Sequence, residues 1–190
     1  MYTAPDNIYC YPGSSVLKNI PDLTSERELE RFEIAMTSQR AEEPLPAGRF
    51  SVRHYCAIHR HLFQDVYVWA GRYRRVRMAK DDSMFCYPEN IEAEMKSLFA
   101  GLRSEACLKD RDAAAFAEGA ASFLATLNAI HPFREGNGRT QLIFMAVLAH
   151  EAGHPLDMSH LNPGPFLQAM IASFRGDERP LASELLRMVR

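Results

Sequence analysis

Apolar residues recur at helical spacing along most of this chain, and the breaks between runs fall on proline and glycine. Leu29, Phe32 and Met36 follow one another at three- and four-residue steps. Thr24 or Ser25 stands before them as a cap, and Glu26, Glu28 and Glu30 lie near the positive end. That pattern predicts a first amphipathic helix. Ahead of it, Tyr9 to Pro21 contains Pro12, Gly13 and Pro21 and reads as an irregular lead-in. Pro44, Pro46 and Gly48 break the chain again, and from Ser51 a second helix carries Val52, Tyr55, Ile58, Leu62 and Phe63 on one side. The period then changes. Between Gly71 and Lys80, Val76 and Met78 alternate with Arg75 and Arg77, the two-residue repeat of a short extended or hairpin element. Pro88 suits the first turn of a helix through Ile91, Met95 and Leu98. Asp110 to Ile130 is alanine-rich and free of proline, as a central buried helix would be. Another apolar helix runs from the loop at 131–138 to about His150, and two shorter ones, Phe166 to Phe174 and Leu181 to Met188, close the chain. The predicted class is mainly α with one small β element.

Composition narrows the picture. With 190 residues, 47% of them hydrophobic, the whole span 1–190 fits one domain with a sizeable core. A net charge of −2 provides no global attraction to nucleic acid or to an anionic membrane. No apolar run approaches the roughly 20 residues of a bilayer span, and Met1 to Cys10 lacks the basic-then-apolar pattern of a secretory signal. The four cysteines, Cys10, Cys56, Cys86 and Cys107, are scattered without CxxC spacing, as free thiols of a cytoplasmic protein would be.

The chemistry concentrates in His131-Pro132-Phe133-Arg134-Glu135-Gly136-Asn137-Gly138-Arg139, between two strongly helical segments. Gly136 to Gly138 should open the second of these, where unpaired N–H groups and the helix dipole make an anion cradle. Arg139 in the first turn can fork onto phosphate oxygens. Glu135 is a hard oxygen ligand suited to Mg²⁺, and His131 can accept a proton near neutral pH. A competing motif, His150-Glu151-Ala152-Gly153-His154, matches HExxH. Gly153 should end that helix, and His154 precedes Pro155, so the two histidines are not expected to share a helical face.

The nine-residue stretch resembles the signature loop of the Fic family, His-x-Phe-x-(Asp/Glu)-Gly-Asn-Gly-Arg. The likeness extends to His61-Leu62-Phe63, Tyr67, Trp69-Ala70-Gly71 and Arg74, to Phe85, Pro88 and Ile91, to Gly176-Asp177 and Pro180-Leu181, and to Tyr11-Pro12-Gly13 with Leu17 and Asn19. The resemblance implies the Fic fold, a helical bundle with a small β-hairpin flap. It also implies transfer of AMP from ATP to a Tyr, Thr or Ser of a target protein. On that resemblance His131 is the base, Glu135 holds Mg²⁺, Gly136, Asn137 and Gly138 form the anion hole, and Arg139 steadies the β- or γ-phosphate. Phe133 anchors the loop. The flap, with Arg74, Arg75, Val76, Arg77, Met78 and Lys80, would pair with an extended target segment.

The entry segment resembles that of small bacterial Fic toxins, and this resemblance implies type II topoisomerase subunits as targets and a small antitoxin-like inhibitor. The inhibitory (Ser/Thr)-x-x-x-Glu-(Gly/Asn) motif is missing: Thr24 to Glu28 is followed by Leu29, and Glu118-Gly119 has Ala114 upstream. Inhibition in trans is the corresponding expectation. One position departs from the family. Leu142 stands where many active members carry a second arginine, so a Fic-fold module with weak or lost turnover, or transfer of another phosphate-containing group, stays open beside AMP transfer.

Overall fold

Seven α-helices and one two-stranded hairpin make up the described residues, 8–80 and 83–190, of a computed structural model. They run α1 (Glu26–Glu42), α2 (Val52–Phe63), β1 (Ala79–Lys80), β2 (Ser83–Met84), α3 (Ile91–Ser104), α4 (Ala113–Ile130), α5 (Asn137–Glu151), α6 (Pro163–Phe174) and α7 (Arg179–Met188). Part of the Met1 to Cys10 segment read for a signal lies outside the described residues. The mainly helical prediction and its small β element both hold.

Short polar side chains begin the helices where the sequence places them. The Ser25 hydroxyl accepts from the Glu28 amide, Ser51 from His54, and Asp112 from Ala115, each satisfying a donor that its helix leaves over. Pro88 opens a single 3₁₀ turn, Pro88–Asn90, ahead of α3 rather than α3 itself. Against the expectation that no apolar run approaches a bilayer span, helix α4 is long and apolar enough by length and composition to cross a membrane. Here it is the central post of the bundle, packed against α3, α5, α6 and α7. Its side chains Phe116, Leu124, Leu127 and Ile130 are buried in one continuous cluster that extends from Tyr9 to Leu185. Each such side chain contributes about 1.5–3 kcal/mol by leaving water.

Two elements differ from their sequence patterns. Phe32 and Met36 of α1 are only half-buried, whereas the deeply buried row is Leu29, Glu33 and Thr37. The extended stretch at 71–80 pairs only at its end, Ala79 opposite Met84 and Lys80 opposite Ser83. Within that stretch Val76 and Met78 point inward and Arg75 and Arg77 outward, as the alternation predicted. The HExxH residues separate. Helix α5 ends at Glu151, Gly153 turns with φ 87°, and His154 Nε2 meets the Arg111 carbonyl at 2.7 Å.

Candidate active site

The signature loop runs from the last residue of α4 to the first turn of α5. His131 caps α4 in the left-handed region (φ 48°, ψ 62°), a conformation that costs a non-glycine residue free energy and turns the ring out of the helix line. The ring is 4% exposed and stacks on Phe85 at 3.9 Å. Burial, with Arg74 and Lys80 adding to it, lowers its pKa to about 3 against a smaller opposing pull from the Asn128 carbonyl. The imidazole is therefore neutral at physiological pH, the state in which it can accept a proton.

Phe133 anchors the loop, fully buried, with its ring 3.7 Å from His59 and 5.5 Å from Tyr55. Gly136 turns the chain into α5 with φ 80°, and a Cβ there would meet the Phe63 ring at 2.2 Å. Only glycine fits. The Asn137 side chain is committed to the loop itself. Its Oδ1 accepts from the Phe133 amide at 3.0 Å and its Nδ2 donates to the Phe133 carbonyl at 2.8 Å. Asn137 thus braces the turn, and the part it offers an anion is its backbone N–H in the first turn of α5. Glu135 accepts from the Gly136 amide at 2.8 Å, and burial raises its carboxyl pKa, with Glu33 among the lesser causes.

A cavity of about 630 Å³ opens beside this loop. His131, Gly138, Gln141 and Leu142 line one side, Lys80 and Phe85 the flap side, and α6 the far side through Phe166, Met170 and Phe174. Its volume suits a nucleotide-sized ligand. Leu142 is half-buried at the wall, one turn beyond Gly138.

The hairpin gathers the six flap residues differently from the sequence reading. Arg74 is 2% exposed and is not a target-facing residue. Its guanidinium donates to the carbonyls of His131 (2.7 Å), Val76 (2.7 Å), Cys86 (2.5 Å) and Ile130 (3.2 Å), bolting the flap to the end of α4. Val76 and Met78 are core residues. Arg77 lies over the Tyr87 ring at 4.4 Å and 3.8 Å from Glu89. Arg75 is exposed, and Lys80 on β1 borders the cavity.

Three polar residues to which the sequence pattern assigned no role at the site, His59, Glu33 and Tyr67, stand against it. His59 is fully buried, with Nδ1 accepting from the Gly71 amide at 2.8 Å and Nε2 facing the Glu135 carbonyl at 3.0 Å. Its pKa falls to about 4, mainly through burial. Glu33 of α1 binds Arg139, and Tyr67 donates to Glu33. A buried glutamate inside an apolar stripe was the available signal, since such a charge needs a partner.

Comparison with known proteins agrees with this geometry. The model of the Fic/DOC family matches residues 49–149. A protein named probable protein adenylyltransferase y4lH, from Sinorhizobium fredii, is 51% identical over 99% of this chain and 98% of its own. Protein adenylyltransferase VbhT of Bartonella schoenbuchensis is 36% identical over 98% of this chain, which spans 39% of that longer protein. The crystal structure of BepC from Bartonella tribocorum with bound AMPPNP superposes with a TM-score of 0.85 at 28% identity, covering 96% of each chain.

Proposed function

This chain belongs to the Fic/DOC family and is a protein adenylyltransferase, and from that premise we propose how its own residues carry AMP from ATP to a protein hydroxyl. The observation that carries the reading is the neutral, buried His131 on the wall of a nucleotide-sized cavity that also exposes Gly138, at the start of α5. The adenosine part of ATP occupies the cavity. The phosphates lie at the first-turn amides of α5, which point donors at them without reorganisation. His131 takes the proton from the target hydroxyl as its oxygen attacks the α-phosphorus, and pyrophosphate departs on the opposite side.

Mg²⁺ fits the donor set. Among the described residues no cluster of three or more His, Cys, Asp or Glu side chains forms a closed metal cage. One carboxylate, Glu135, stands beside the proposed phosphate position, and Mg²⁺ is held in this way, by one or two carboxylates plus phosphate oxygens and water. When bound, the ion would neutralise phosphate charge.

The target segment would lie extended along β1, with Lys80 and Arg75 as its cationic neighbours. Type II topoisomerase subunits are the first acceptors to assay, on family resemblance. A small inhibitory partner acting in trans, in the cytoplasm, completes the reading, on the resemblance to small bacterial Fic toxins. Incubation with ATP, Mg²⁺ and a cell lysate, followed by mass spectrometry, tests the chemistry. Acceptor hydroxyls should gain one AMP. Added phosphate or phosphocholine, or no modification, would refute it.

A further inference from the structure

Helix α1 lies outside the span matched to the family, residues 49–149, yet it sends two side chains to the signature loop. Both oxygens of Glu33 are engaged. Oε1 binds Arg139 Nη2, and Oε2 accepts from the Tyr67 hydroxyl. Thr37, one turn further along α1, meets Arg139 Nη1 at 3.4 Å, while its own hydroxyl donates to the Glu33 carbonyl at 2.7 Å. The guanidinium face lies 4.8 Å from the Phe63 ring. Tyr67 is itself fixed, 2% exposed and stacked on Trp69 at 4.3 Å and 17°. An arginine has a rigid fork of five N–H donors. Glu33 and Thr37 engage its two terminal nitrogens, Glu135 Oε1 stands 3.7 Å from Nη2, and the N–H donors left over are what the side chain can offer an anion.

Neither Glu33 nor Arg139 lines the cavity that His131 and Gly138 border. The direct partners of the Glu33 carboxylate are Arg139 and Tyr67. A long flexible side chain loses considerable rotamer freedom when it must hold one pose, and prior anchoring removes that cost from the bound state.

We propose that Glu33, held by Tyr67, is the positioning residue for Arg139, fixing the orientation in which its guanidinium meets the triphosphate. The inference rests on the reading of Arg139 as a phosphate-binding group. It assigns α1 a part in turnover that the Fic/DOC match does not cover. Because the anchor sets orientation rather than supplying attraction, its loss should act on kcat more than on affinity. Glu33→Gln keeps shape and the Tyr67 contact but removes the charge that opposes a triphosphate, so binding should be as tight as before or tighter.

Four full-length proteins decide it: wild type, Glu33→Gln, Tyr67→Phe and Arg139→Ala. Each is measured for AMPPNP affinity by calorimetry, for transfer of AMP into lysate protein at saturating ATP, and for melting temperature. Glu33→Gln should lose about tenfold or more in kcat, the scale of one charge-assisted hydrogen bond, with a dissociation constant no weaker than wild type. Tyr67→Phe should lose less, with the same split. Unchanged kcat in Glu33→Gln overturns the proposal, as does a faster enzyme, which would mark Glu33 as a restraint. If Glu33→Gln fails to fold, the split in Tyr67→Phe decides. Arg139→Ala with normal affinity and transfer would remove the phosphate role of Arg139 itself. Impaired Arg139→Ala beside wild-type behaviour of the other two variants would defeat only the positioning role.

Discussion

His131 and Leu142 carry the sharpest consequences for single residues. Replacing His131 by alanine should lower transfer by about 10²–10⁴, the usual contribution of a general base, while AMPPNP binding changes little. Calorimetry beside a transfer assay separates the two effects, and equal turnover would remove His131 from its role. Its pKa of about 3 also has a sign for kinetics. Protonation inactivates a base, and here it occurs far below neutrality. The kcat/KM profile should therefore show no acid limb from His131 between about pH 5 and 8. Leu142 lies at the cavity wall and is half-buried. An arginine at 142 would thus reach open space rather than core. Leu142→Arg should fold and should use ATP more efficiently, by about tenfold, since a charged hydrogen bond contributes roughly 1.5–3 kcal/mol. A stable variant with unchanged kinetics would show that no phosphate lies within its reach. The loop and its seven specified signature positions were legible in sequence because their types and spacing are bound to one chemistry. The role of the Asn137 side chain was not, because an amide in a loop can face a ligand or its own backbone, and only the fold sets it against Phe133.

Among the elements, α1 and the flap show where a hydrophobic pattern stops being sufficient. The stripe Leu29, Phe32 and Met36 fixed the existence and the cap of α1, but the buried row turned out to be Leu29, Glu33 and Thr37. Periodicity assumes that a buried face is apolar. The face of α1 that meets Arg139 is polar because its neighbour is a guanidinium that needs acceptors. The flap failed in the opposite way. Its alternation was correct, yet Arg74 proved to be an internal bolt with four carbonyl partners. Arg74→Ala would leave those carbonyls without donors, and a buried unsatisfied group costs about 1–3 kcal/mol. The variant should lower stability by about 2–4 kcal/mol in urea unfolding, and it should release the hairpin, seen as faster hydrogen exchange at 79–80 and 83–86. Unchanged exchange there would contradict the bolt.

For the molecule as a whole, the sequence supplied helix order, the central place of α4 and the single loop of chemistry, because these follow from local spacing and from proline and glycine breaks. It did not supply the contacts between α1, α2 and α5 that build the site from residues about 100 positions apart, such as Thr37 and Arg139. Those contacts also bind stability to pH. His59 and His131 have folded-state pKa values of about 4 and about 3, below the ordinary 6.5. As pH falls below about 6.5 the unfolded chain takes up protons that the folded chain refuses, so stability is full above that point and declines on acidification. Each histidine contributes a slope of at most about 1.4 kcal/mol per pH unit. Urea unfolding at pH 7 and pH 5 should show the decline, and His131→Ala should reduce it; equal slopes in both proteins would contradict the buried, neutral ring. The central claim is that the α-phosphate, with its adenosine, moves to protein. ATP labelled on the α-phosphate and, separately, on the γ-phosphate tests it most directly, with the full-length enzyme, Mg²⁺ and a lysate. Label from the α-position alone should become protein-bound, and His131→Ala should slow it by about 10²–10⁴. Protein-bound label from the γ-position, or none from either, would contradict it.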